Sequence, residues 1–157
     1  FNEALPLLKK SPEAAVINIS SIAAKVGRSG PAGLIFNDGY AAANKAVSSL
    51  TETWARMAAP TVRVNELMLG FCKKRHAEGT RGWELLSHTQ QKAITHHTLL
   101  QRTGDVHEVV KTVFFLIENA TFMTGSTICM DGGFSLGHSL VPALPEAQDN
   151  LEIQSDT

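Results

Sequence analysis

The sequence predicts an α/β fold built on parallel strands, and three observations predict it. Residues 15–20 open with a short β-branched run that has the length and composition of a buried strand, and 62–67 and 126–130 read as two further short strands. Longer segments of helical periodicity lie between them. Residues 40–57 carry Val47, Leu50 and Trp54 at helical spacing, as core packing requires, and the segment after Asp105 carries Val109, Val110, Val113, Phe114 and Ile117, expected to face the core. Small or turn-forming residues close each strand: Ser20-Ser21, Gly70 and Asp131-Gly132-Gly133. Strands alternating with helices belong to parallel sheets with right-handed crossovers.

Taken in order, residues 1–10 read as the end of a helix. Leu5, Leu7 and Leu8 precede Lys9-Lys10, whose charge suits a helix C-terminus, and Ser11-Pro12 stops the helix. After the first strand, Gly27, Gly30, Pro31, Gly33 and Gly39 make the stretch from Ser21 to Tyr40 irregular. It reads equally as one wall of a substrate pocket and as a mobile surface excursion. Helix 40–57 is rich in alanine, which permits close contact with another helix, and Pro60 ends it. The second strand leads into Gly70-Phe71.

From Cys72 to Arg102 the chain turns polar, with two short helices expected near residues 76–87 and 89–99. Trp83 is either an aromatic wall or a half-buried structural residue. His76, His88, His96 and His97 are irregularly spaced and have no companion acids at i+4, so no metal is expected. Asp105 has the chemistry of an N-cap for the next helix. Residues 122–125 turn into the last strand, and residues 131–133 close it in a turn that needs small side chains. Residues 139–157, with Pro142, Pro145, several acids and few large apolar groups, read as a flexible tail, leaving 1–138 as the folded portion.

Bulk properties narrow the function. A chain of 157 residues suits one domain with a sizeable core. Its net charge of −1 gives no reason to expect nucleic acid or an acidic substrate as partner. No long apolar run suggests a membrane span, and the first residues do not form a signal peptide. Cys72 and Cys129 are far apart and make no metal motif, as expected of reduced thiols in a cytoplasmic protein.

One grouping carries chemistry. Ser21 stands where the first strand ends, and Tyr40 and Lys45 stand near the start of the helix that follows. In open α/β sheets, ligands bind beyond the carboxyl ends of the strands. A phenol with its ordinary pKa near ~10 transfers protons poorly at neutral pH, but an adjacent ammonium favours the phenolate. A serine hydroxyl can hold a carbonyl or alcohol oxygen while the tyrosine moves the proton. Read alone, the same residues also suit a strand-capping serine and an ordinary helix start.

The motifs in their order resemble the carboxyl-terminal part of the classical short-chain dehydrogenase/reductases, from about Phe1 to Leu136. Asn18-Ile19-Ser20-Ser21 is similar to that family's strand-end serine motif. Tyr40 and Lys45 resemble its Tyr-x-x-x-Lys pair, Arg63-Val64-Asn65 with Gly70 its next strand and cofactor-contacting turn, and Thr124-Gly125 with Asp131-Gly132-Gly133 its closing strand. The approach Ala59-Pro60-Thr61-Val62-Arg63 and the ending Gly-Phe-Ser-Leu faintly resemble pteridine reductases within it. The resemblance implies the C-terminal part of a doubly wound, parallel-sheet, Rossmann-like domain. No Gly-x-x-x-Gly-x-Gly or Gly-x-Gly-x-x-Gly turn precedes it, so the N-terminal βαβ half that holds most of a dinucleotide is absent from the sequence, as in a fragment or split product.

The resemblance further implies an oxidoreductase using NAD or NADP on a small carbonyl or alcohol substrate, assembled as a homodimer or homotetramer through the alanine-rich helix. Ser21, Tyr40 and Lys45 would be catalytic, and Tyr40, Lys45, Gly70 and Phe71 would contact the cofactor. Two departures stand out. Leu69 replaces the usual proline before the glycine. Tyr40 and Lys45 are five apart rather than four, and five residues of regular helix turn through roughly 500°, which misses the shared face. A bulge or late helix start around residues 41–43 would bring the two together; otherwise the pair is broken. A broken pair favours the alternative of a catalytically silent relative that works as an interaction or oligomerisation module.

Overall fold

The computed structural model describes residues 1–72 and 83–137. His76, most of the helix expected near residues 76–87 and the tail at 139–157 lie outside the described residues. The elements are helix α1 (Leu5–Leu8), strand β1 (Ala14–Ser21), helix α2 (Ala23–Val26), helix α3 (Asp38–Ala58), strand β2 (Val62–Leu69), helix α4 (His88–His97), helix α5 (Val106–Glu118) and strand β3 (Thr127–Met130). Short 3₁₀ turns cover Gly30–Leu34, Trp83–Leu85 and Phe134–Leu136.

The strands form one sheet in the order β1-β2-β3, and both pairings are parallel. Ala14 to Ser21 align with Val62 to Leu69, and Glu66 to Leu69 align with Thr127 to Met130. Alternation along β2 divides the core between two helical layers. Val62 and Val64 pack against Ala55 and Ala58 of α3. Leu67 faces the other way, onto Leu116 of α5 and Ala120, with Val109 and Val113 packed beside them. Val110, Phe114 and Ile117, expected in the core, are exposed, because the face that carries residues 109, 113 and 116 turns them away from the sheet, and Leu50 of α3 is likewise exposed. A third cluster, built on Ile22, Phe36, Met68 and Phe134, lies at the carboxyl end of the sheet.

Two polar residues of β2 lock this arrangement. The Arg63 guanidinium donates to the carbonyls of Leu116, Ile117 and Ala120, satisfying the otherwise unpaired C-terminal end of α5. Asn65, fully buried, donates to the Met123 carbonyl and accepts from the Ser126 N–H, fixing the entry into β3. The helix expected over the first ten residues is a single turn, Leu5–Leu8, begun by Pro6 near its start.

Helix α3 differs from expectation where it matters most. It begins at Asp38, two residues before Tyr40, because the Asn37 side chain accepts the Tyr40 N–H at 2.8 Å and caps the first turn. From there it is α-helical without interruption to Ala58, so neither the bulge nor the late start expected around residues 41–43 forms.

Candidate functional site

The carboxyl ends of β1 and β2 open into a cavity of about 360 Å³. Ser20, Ser21, Leu69 and Gly70 supply its strand side, and Tyr40 and Asn44 descend into it from α3. Phe36, Phe71 and Trp83 give it aromatic walls, the first two stacked with centroids 5.3 Å apart. The irregular stretch between Ser21 and Tyr40 contributes Ile35 and Phe36, so it forms a wall of the cavity rather than a surface excursion. Trp83 is half-buried against the same core cluster while lining the cavity, so both expectations for it hold.

Of the anticipated site residues, Ser21, Tyr40, Gly70 and Phe71 come together here. Ser21 is buried, and its Oγ accepts the Ala23 N–H at 3.2 Å, which sets the hydroxyl at the end of the strand. Tyr40 is half-buried, its ring tilted against Phe36 at 5.7 Å. Lys45 does not join them. It is exposed on the outer side of α3, and the residue one turn below Tyr40 on the cavity side is Asn44. The reason is the rotation of a regular helix: four residues return to the same face and five overshoot it. Asn44 donates to the Tyr40 carbonyl at 2.8 Å.

Gly70 has a packing reason to be glycine. A Cβ there would sit 2.6 Å from the Asp131 Cα, so the turn after β2 and the turn after β3 touch backbone to backbone. Burial alone would raise the Asp131 carboxyl. Hydrogen bonds from Ser135 and from the Gly133 N–H outweigh it and hold the carboxyl below its usual range, so the acid ties the closing turn together.

A polar cluster lies directly beneath the cavity. Glu66 is fully buried on the α3 face of β2. Its Oε1 accepts from the hydroxyls of Ser20 and Ser48, the latter at 3.1 Å, and its Oε2 accepts from Thr127 at 2.7 Å. Sequence reasoning missed both Asn44 and Glu66. Asn44 was detectable by counting four from Tyr40 once Asn37-Asp38 was read as the helix start. Glu66, between Asn65 and the apolar Leu67-Met68-Leu69, gave the bare signal of a charge in a strand. Among the described residues, no group of three His, Cys, Asp or Glu side chains gathers as a metal site would require.

A protein-family model described as enoyl-(acyl carrier protein) reductase matches residues 1–135. The chain belongs to the short-chain dehydrogenase/reductase family. It is 31% identical over 132 residues to the short-chain dehydrogenase/reductase homolog YusR of Bacillus subtilis, spanning 84% of this chain and 92% of that one. It is 32% identical over 140 residues to a tropinone reductase homolog of Arabidopsis thaliana, spanning 87% of this chain and 48% of the relative. Among solved structures, a short-chain dehydrogenase/reductase from Burkholderia xenovorans superposes with a TM-score of 0.68 at 31% identity, covering 87% of this chain and 49% of that one. Beside YusR, then, this short-chain dehydrogenase/reductase chain spans about half the length of such relatives.

Proposed function

We propose that the protein is an NAD(P)-dependent oxidoreductase that interconverts a carbonyl and an alcohol on a small organic substrate. The observation that carries this reading is the meeting of Ser21 and Tyr40 at one cavity beyond the carboxyl ends of the parallel strands. Tyr40 is the acid/base: it protonates the oxygen during reduction or takes its proton during oxidation. Ser21 holds that oxygen by a hydrogen bond. A nicotinamide cofactor, when bound, supplies or accepts the hydride, with Gly70 and Phe71 as its contacts on this chain. The expected role of Lys45 passes to no other ammonium among the described lining residues, so Tyr40 works beside an amide.

A second reading has a specific observation in its favour. Asn44 occupies the position where a Tyr-x-x-x-Lys pair would carry its cation, which suits a catalytically silent relative that binds or assembles. On either reading we propose that copies associate through the outer face of α3.

One experiment separates the two. The complete natural protein is assayed for reduction of small ketones with NADH and NADPH, beside Tyr40→Phe and Asn44→Lys. The enzyme reading expects measurable turnover, a loss of ~10²-fold or more in Tyr40→Phe, and a gain of about tenfold in Asn44→Lys as the phenolate is favoured. Turnover absent in the natural protein and appearing in Asn44→Lys supports the silent reading. Unchanged turnover in Tyr40→Phe overturns the role given to the tyrosine.

A further inference from the structure

We infer that Glu66 is a positioning residue: one of its oxygens joins the strand that carries Ser21 to the helix face that carries Tyr40, and so sets how the two stand at the cavity. This rests on the roles proposed for Ser21 and Tyr40, and it names the group that fixes their geometry.

The first observation is where Glu66 sits. It lies at mid-strand in β2, in register with Asn18 of β1 on one side and Thr127 of β3 on the other. Its Oε1 accepts from two hydroxyls, that of Ser20 and, at 3.1 Å, that of Ser48. Ser20 is the chain neighbour of Ser21 and lines the cavity itself. Ser48 belongs to α3. One carboxyl oxygen therefore bridges β1 and α3, while Oε2 accepts from Thr127 at 2.7 Å and holds the same carboxyl to β3.

The second is the helix face that Ser48 shares. Tyr40, Asn44 and Ser48 follow at steps of four, and four residues of α-helix return nearly to the same face. Ser48 stands just over two turns from Tyr40, about 12 Å along the axis at ~1.5 Å per residue. Turning α3 by one residue would carry Ser48 away from Glu66 and Tyr40 out of the cavity in the same motion. A further bond lies on the next turn, where Asn18 Nδ2 donates to the Thr51 hydroxyl at 2.8 Å.

The third is what holds the rest of the helix. Below this polar seam α3 meets the sheet through Ala55 and Ala58 against Val62 and Val64. Apolar burial has no preferred direction and tolerates a small slide or rotation. Hydrogen bonds demand a distance and an angle, so they fix the register that the alanines leave loose. An acid is a costly group to bury, and what it adds here is direction.

Tyr40 is the only tyrosine in the sequence, so tyrosine-labelled protein gives one set of ring NMR signals that reports its place. The complete natural protein is compared with Glu66→Leu, Glu66→Gln, Ser48→Ala and Thr127→Ala. In the natural protein the ring should show nuclear Overhauser contacts to Phe36, whose centroid lies 5.7 Å away. Glu66→Leu and Ser48→Ala, which each break the Oε1 bridge, should shift the Tyr40 signals and weaken those contacts. Glu66→Gln keeps an acceptor oxygen and should restore them; Thr127→Ala leaves the bridge intact and should not move them. With a ketone that the natural protein reduces, kcat should fall roughly 10- to 100-fold in both bridge-breaking variants while KM stays within about twofold, as expected when the acid/base is displaced but the walls still bind. Should Glu66→Leu fail to fold, Ser48→Ala, which removes one half-buried hydroxyl, decides alone. Lowered melting with the Tyr40 signals and kcat unchanged would make Glu66 a structural group only and overturn the proposal. An equal displacement of Tyr40 in Thr127→Ala would overturn it too. Displaced Tyr40 signals in a protein that reduces no ketone would leave this proposal standing and count against the oxidoreductase reading.

Discussion

At the scale of single residues, the site turns on a shift of one position along a helix. Tyr40 reaches the cavity because Asn37 caps the helix three residues earlier and fixes its rotation. The same rotation turns Lys45 outward and Asn44 inward. Gly70 is as tightly determined, though for a reason of packing. The Asp131 Cα fills the space a side chain would take, so Gly70→Ala must push apart the turns that close β2 and β3. Overpacking of this kind costs about 1–3 kcal/mol. Urea unfolding should show a loss of that size, with the slope against denaturant unchanged, and ligand affinity at the cavity should fall with it. A variant as stable as the natural chain would mean that the turn relaxes freely.

At the scale of elements, sequence and structure agree where local chemistry decides and part where the tertiary fold decides. The three strands lie within two residues of their sequence-based limits because turn-forming residues, Ser20-Ser21, Gly70 and Asp131-Gly132-Gly133, mark where each one closes. Asp105 caps α5 as its chemistry indicates. Ser21, Tyr40, Gly70 and Phe71 were legible as a group, since strand ends and the following helix converge in this topology. Glu66 was not legible as the hub of a cluster. Its partners come from β1, α3 and β3, and no local pattern brings Ser20, Ser48 and Thr127 together. The α5 cap also carries a testable pH dependence. Hydrogen bonding from Arg102, at 2.7 and 2.9 Å, and from the Asp105 N–H holds the Glu108 carboxyl down to about 2. A carboxyl lowered on folding stabilises the folded state above its unfolded value of ~4.3, and that contribution is lost as pH falls toward about 2. Side-chain NMR should therefore find Glu108 still ionised near pH 3. In Arg102→Ala its midpoint should rise toward the ordinary glutamate value. An identical titration in both proteins would show that the ion pair does not persist in solution.

At the scale of the whole molecule, a three-stranded sheet with helices on both faces leaves much apolar surface uncovered. Among the described residues, β1 pairs on one edge only, and Ile19 at its end is 50% exposed. An open edge and bare apolar side chains favour association. The outer face of α3 has the composition to receive a second helix. Ala42, Ala43 and Ala46 are exposed and small enough for close approach, and Leu50 and Met57 continue the same side of the helix with 43% and 45% of their surface exposed. Lys45, turned outward, sits among these residues rather than in the cavity. If this face joins two copies in an isologous contact, a charge placed at its centre meets its own image across the two-fold axis. Ala46→Glu should then weaken self-association by roughly a hundredfold or more, since like charges brought together at an interface cost several kcal/mol. The cavity, on the opposite side of the helix, should keep its ligand affinity in that variant. Light scattering across a dilution series gives the outcome: the natural chain as a dimer or tetramer at micromolar concentration, with Ala46→Glu dissociating first. A natural chain that stays monomeric at that concentration, or an Ala46→Glu variant that assembles equally well, would remove α3 as the interface.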